Sequence, residues 1–275
     1  MYVLPPHRLG VSIHTLSGPL DDERRGDLIY RGALIVFRDV APLKEVASHT
    51  EELIGEAVSI DELQARFKGD ERVNNLFRAA LEHVGVAVER TYWDSPRLRV
   101  VPPVGDHEGL QIGRIGIHRD TWGSNVLEQT NWWTSLRPLT EERTIAFYPR
   151  YWERPIANTS ADWDLDAVRE RRRRGERVEE LPIVPEPTEL VDRESELRMV
   201  MEPGDFLCFS GAHLHASVPN TSNATRYSVE LRTVYADDLT SERGAPNLDG
   251  RAPAVPLEWF RSVTDGAPLR RPEPA

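Results

Sequence analysis

PGDFLCFSGAHLHASVPNTSNATRYSVELRTVY, residues 203–235, decides the fold class. Pro203-Gly204-Asp205 reads as a turn. Short apolar runs at 205–209 and 212–218 read as strands, and 225–235 reads as a third. Side chains alternate along a strand, so Tyr227, Val229 and Leu231 share one face of the last one. Arg226, Ser228, Glu230 and Arg232 share the other. A polar strand face usually meets solvent, but in a jelly roll with an internal metal it lines the cavity.

Outward from this stretch, 97–102, 111–118, 129–136, 144–148 and 197–201 read as further strands. Residues 28–38 read as another, broken at Arg31-Gly32. Apolar residues at helical spacing mark 60–68 and 71–84, with Asp61 and Asp70 as N-caps. Between 149 and 196 lies a long irregular stretch with one short charged helix at 164–174. A connection this long is often a lid. The fold class is mainly β with flanking helices (α+β). A double-stranded β-helix, the cupin-like jelly roll, follows N-terminal helices and carries a lid-like insertion at 149–196. We expect one domain over 1–265 and a disordered tail at 266–275.

The 275 residues are 39% hydrophobic, enough for a real core. The net charge of −11 argues against a nucleic-acid or anionic-membrane partner and slightly favours a polar or cationic small molecule. Cys208 is the one cysteine, so no internal disulfide forms. No signal peptide or long apolar span is evident, so the expectation is a cytoplasmic protein.

His118 and Asp120, two residues apart, would project together from a strand. A second histidine, His213 or His215, would complete the two-histidine, one-carboxylate set that binds non-haem Fe(II) with open positions. Arg226 offers a bidentate donor for a carboxylate, and Ser228 adds a hydroxyl on the same side. That pair suits the far carboxylate of 2-oxoglutarate. Asn131 shares a face with Gln129 and Trp133 and is expected near co-substrate or substrate. One of Trp132 and Trp133 should be core. Arg119 and Trp122 are candidates for the substrate rim, with Trp133 and Arg232 as further substrate contacts.

Five segments together resemble the phytanoyl-CoA dioxygenase-like Fe(II)/2-oxoglutarate oxygenases, in their bacterial branch. They are HRDTWGSNVLEQTNWWTSL (118–136), FYPRYW (147–152), PGDFLCFSGAHLHASVPNTS (203–222), TRYSVELRTV (225–234) and GAPNLD (244–249). The resemblance covers roughly residues 97–250. It implies His118, Asp120 and His215 as metal ligands, since the family's arginine follows its distal histidine by about eleven positions, as Arg226 follows His215. It implies Fe(II), 2-oxoglutarate and O2 as cofactor and co-substrates, with release of succinate and CO2. Asp120 sets the chain apart from halogenating relatives, which lack that carboxylate. The reaction it implies is hydroxylation, desaturation or cyclisation of a small molecule, with natural-product tailoring as one setting.

Two other readings compete. A cupin-like isomerase or hydrolase would leave Arg226 and Ser228 without a task. A non-catalytic jelly-roll module binding sugars on its tryptophans would leave the metal ligands without one.

Overall fold

The computed structural model describes residues 11–104, 115–174 and 184–270. Helices α2 (Ala41–Glu56), α3 (Ile60–Gly69) and α4 (Glu71–His83) form where apolar residues recur every three to four positions. In α4 this places Val73, Phe77, Ala80 and Leu81 on one buried face. Asp70 caps α4 by accepting from the Val73 amide at 2.9 Å. Ser59, rather than Asp61, caps α3, accepting from the Glu62 amide at 3.2 Å.

These helices cover one face of an eight-stranded sheet. Along it run β1 (Ile13–Leu16), β2 (Leu34–Phe37), β8 (Phe206–Ser210), β5 (Gln129–Ser135), β10 (Arg226–Tyr235), β3 (Thr91–Trp93) and β11 (Arg261–Ser262). β4 (Arg97–Val101) also pairs with β10, beside β3. A second sheet of β7 (Leu197–Met199), β6 (Ile145–Phe147) and β9 (His215–Ser217) faces the first. Strand alternation divides the interior. Ile35, Phe37, Trp132, Phe206, Cys208, Val229 and Leu231 join the helical core. Leu34, Val36, Trp133, Leu207 and Phe209 join Ile145, Phe147, Leu197 and Met199 between the sheets. Two curved sheets packed this way form the expected jelly roll.

Residues 28–33 are not strand. Helix α1 (Asp22–Ile29) is capped by Asp21 and ends at Tyr30, and the chain then turns at Gly32 with φ +91°. A Cβ on Gly32 would lie 2.7 Å from the Trp152 ring, so both backbone and packing demand glycine. The contiguous apolar residues hid this helix-to-strand change. Residues 212–214 form a bend, and β9 starts only at His215. Of the strand expected at 111–118, residues 111–114 lie outside the described residues, and His118 makes an isolated bridge to His215. The stretch 149–174 holds helical turns at Pro149–Tyr151 and Thr159–Asp162, and helix α6 (Leu165–Arg173). The tail is ordered further than expected. Leu269 is buried and its amide bonds to the Phe260 carbonyl at 2.9 Å. Residues 271–275 of that tail lie outside the described residues. Among the described residues no helix is long and apolar enough to cross a membrane.

Candidate active site

His118 and His215 exchange both backbone hydrogen bonds, each N–H to the other's carbonyl at 2.9 Å. That pairing brings the two rings to 4.3 Å between centroids. Each Nδ1 lies 2.9 Å from a backbone carbonyl, Gly116 for His118 and His213 for His215. A carbonyl only accepts, so each Nδ1 carries the proton and each Nε2 presents its lone pair. Phe147 and Phe209 pack around the His215 ring. Burial, followed by the neighbouring His118, draws His215 down to about 4, so it is a neutral imidazole at neutral pH.

Asp120 does not share a strand with His118. It opens the short helix α5 (Asp120–Ser124), where the chain turns back under Gly211. A Cβ on Gly211 would sit 2.9 Å from Gln129 Nε2 and 3.3 Å from Asp120 Cβ, so glycine lets this turn close over the carboxylate. Asp120 Oδ1 lies 3.6 Å from His118 Nε2, and Oδ2 lies 4.0 Å from His215 Nε2. The three donor atoms fall within 4.8 Å of one another, a spacing that one divalent ion can bridge. Burial opposes its charge, but the two imidazoles and Arg232 outweigh it and hold Asp120 far below the usual carboxylate range. The donor set therefore fits a metal: two imidazoles whose Nδ1 atoms are held from behind by carbonyls, leaving each Nε2 toward the site, and one carboxylate.

Asn131 supports this set. Its amide donates to Asp120 Oδ2, and its own oxygen accepts from Gln129 Nε2 at 2.7 Å. Asn131, expected near co-substrate or substrate, lines the cavity and also clamps the carboxylate. His213, the alternative ligand, stands outside the set. It is buried against Trp152 at 4.5 Å between ring centroids.

A cavity of about 570 Å³ opens between the two sheets and reaches all three donors. This is the size of a small-molecule site. The polar face of β10 lines it through Arg226, Glu230 and Arg232. Arg226 is buried and donates to the Thr144 carbonyl at 2.7 Å and to Ser217 Oγ at 2.6 Å. Its Nε has no partner among the described residues, nor has Ser228 Oγ on the same strand face. Burial draws Arg226 down to about 10, leaving it cationic at neutral pH. Arg232 is fixed by Asp94, with both Nε and Nη2 2.6 Å from the carboxylate. Trp132 and Trp133 both line the cavity; Trp132 also packs among Phe37, Phe206 and the helices, and Trp133 among the apolar residues between the sheets.

Trp122 and Arg119 are not a free rim. Trp122 is fully buried, and its indole N–H donates to Asp249 at 2.6 Å. Arg119 borders the cavity but is buried, donates to the carbonyls of Ala212, Tyr151 and Arg154, and sits 3.3 Å from the same Asp249. Asp249 also accepts from the Ile156 amide at 3.0 Å. These contacts tie α5, the irregular stretch and the segment around 249 together. The sequence reading missed Thr144 and Ser217, which hold Arg226. Ser217 stood two residues after His215, on the same strand face. Glu230, expected on the cavity face of its strand, lines the cavity, and its partner Arg99, with Nε at 2.9 Å, was not foreseen.

Residues 155–228 match the family model described as phytanoyl-CoA dioxygenase (PhyH). Over that segment the chain resembles the phytanoyl-CoA dioxygenase family. The match spans His215, Arg226 and Ser228 and starts after His118 and Asp120. It also takes in most of the stretch read as an insertion. Among solved structures, EvdO2 from Micromonospora carbonacea var. aurantiaca, complexed with 2-oxoglutarate, shares the fold. It has 14% identity and a TM-score of 0.50, covering 80% of this chain and 93% of that one. The epimerase SnoN, in complex with Fe3+, alpha ketoglutarate and nogalamycin RO, is 14% identical with a TM-score of 0.49, covering 90% of this chain and 95% of that one. The carbocyclase SnoK from nogalamycin biosynthesis is 15% identical with a TM-score of 0.46, covering 88% of this chain and 98% of that one. No curated protein matches the chain.

Proposed function

We propose that this chain is a mononuclear non-haem Fe(II) oxygenase that uses 2-oxoglutarate and O2 to oxidise a small molecule, releasing succinate and CO2. One observation carries the reading. A His118–Asp120–His215 donor set and the buried, incompletely bonded Arg226 open into one cavity, with the unpartnered Ser228 hydroxyl on Arg226's strand face. A buried cation with a spare N–H beside an unpartnered hydroxyl is costly unless a ligand completes it. A dicarboxylate with one end on the metal and the other on Arg226 and Ser228 would do so.

His118, Asp120 and His215 would hold the iron, which supplies the oxygen activation and redox chemistry that side chains lack. Asn131 orients Asp120, and Phe147 and Phe209 keep water from the His215 face. Arg232 and Glu230 stand on the substrate side of the wall, and Trp133 completes it. Hydroxylation of a carbon–hydrogen bond is the leading reaction, with desaturation and cyclisation drawing on the same site.

Anaerobic addition of Fe(II) and 2-oxoglutarate should give a weak visible band near ~500 nm, from keto-acid chelation at an open iron site. In Arg226→Ala the band should need about 30-fold more 2-oxoglutarate, the equivalent of about 2 kcal/mol for a lost buried ion pair. Iron binding without a band would return the chain to the cupin-like isomerases and hydrolases.

A further inference from the structure

The cavity wall has the opposite charge balance to the molecule, which is −11 overall. Asp94 is spent on Arg232, which takes both of its oxygens through the backbone amide at 2.8 Å and the guanidinium at 2.6 Å. Arg97 shares the Asp94 Oδ2 with Arg232, at 3.2 Å. Glu230 is taken by Arg99. Lys68 and Arg261 also line the cavity, both are exposed, and neither has a carboxylate partner among the described residues. Among the described residues Glu258 is the one exposed acid of this part of the wall. Among the described residues, three incompletely neutralised cations therefore face one carboxylate. All three come from the β3–β4 side of β10: Arg97 on β4, Lys68 on the helix packed against it, and Arg261 paired with β3.

A second observation is independent of charge. Trp163 lines the same cavity and is 7% exposed, yet its indole N–H has no partner among the described residues. A buried N–H without an acceptor is destabilising, and a ligand oxygen relieves it. Trp163 and Trp259, two large aromatic side chains, both line the cavity.

We infer that the primary substrate is a ring-bearing small acid, its oxyanion held by Lys68, Arg97 and Arg261 and an acceptor oxygen by the Trp163 indole N–H. The inference rests on the reading of this cavity as the substrate site. It replaces the weak preference for a cationic ligand drawn from net charge. Surface charge sums over the whole molecule, whereas a ligand within a cavity feels the groups within about one Debye length, ~8 Å.

Calorimetric titration of the full chain with 2-naphthoate, 2-naphthamide and 2-naphthylmethylammonium tests this, with and without anaerobic Fe(II) and 2-oxoglutarate. The naphthoate should bind about tenfold tighter than the amide, and the ammonium more weakly than either. Lys68→Ala combined with Arg261→Ala should erase the preference for the acid. Both side chains are exposed, so an unchanged melting temperature checks the fold. Trp163→Phe keeps the ring and should weaken the naphthoate severalfold. Arg226→Ala should leave the preference intact. Equal affinities, tighter binding of the ammonium, or no naphthoate binding would overturn the proposal. So would a preference that survives the double variant and disappears in Arg226→Ala, since the acid would then occupy only the Arg226 seat. A missing Fe(II)–2-oxoglutarate band would instead count against the oxygenase reading, because the naphthoate preference is measured without metal as well.

Discussion

Strand β10 has two faces that both carry fully buried residues and are chemically opposite. On one, Val229 is 1% exposed and packs with Trp132, Phe206 and the helices. On the other, Arg226 is 3% exposed and Ser228 0%, yet both carry polar atoms without partners. The first face is stabilised by many interchangeable dispersion contacts. The second is stabilised by few directional ones and leaves some unmade. Burial alone therefore does not separate core from site; unsatisfied hydrogen-bonding capacity does. A packed face can be altered at a cost in stability, and a site face at a cost in function.

Four outcomes would break or sharpen that contrast. The largest belongs to the metal ligands. Asp120→Ala or His215→Ala should lower metal affinity by at least about a hundredfold and abolish turnover, with little change in thermal unfolding. Full activity in His215→Ala with loss in His213→Ala would transfer the ligand role to His213. On the opposite face, Trp132→Ala should cost about 3–5 kcal/mol in denaturant unfolding while folded molecules still bind metal. A parallel loss of metal affinity in the folded protein would mean that the two faces are coupled.

Asn131→Ala should weaken metal binding by about tenfold, the scale for groups that orient a ligand from behind. An unchanged affinity, with only substrate binding altered, would move Asn131 from the carboxylate to the substrate. The smallest effect concerns Cys208 on the helix-facing side of β8. Burial pushes its thiol up to about 12, so at pH 8 it stays protonated and enclosed. Thiol labelling should be negligible until the protein is unfolded. Rapid labelling of the native protein would show that this face opens.

Much of this arrangement is legible locally. The Pro203-Gly204-Asp205 turn, the alternation of 225–235 and the helical spacing of 71–84 depend on near neighbours, and each forms where the pattern predicts. The pattern failed where one apolar run crosses two elements, as at 28–38, and where a polar cue lies near the true one, as with Asp61 beside Ser59. It also failed where a residue's partner is remote. Arg119 and Trp122 looked like a rim because nothing nearby announces Asp249.

The sequence by itself determined which side of each strand a residue occupies, and it supplied the chemical set: two histidines, one carboxylate, one arginine and one serine. Those follow from a two-residue repeat and from side-chain type. The residues alone left His213 and His215 open, and the family resemblance pointed to His215; the tertiary structure gives the physical reason, since β9 starts at His215 and its reciprocal backbone pair with His118 selects that ring. Only the tertiary structure aimed Asn131 at Asp120 and left Lys68, Arg97 and Arg261 without full partners around one cavity. Alternation states which way a side chain points. What it meets there is set by how the chain turns other segments back onto it, whether 11 residues away, as with Asn131 and Asp120, or 97, as with His118 and His215.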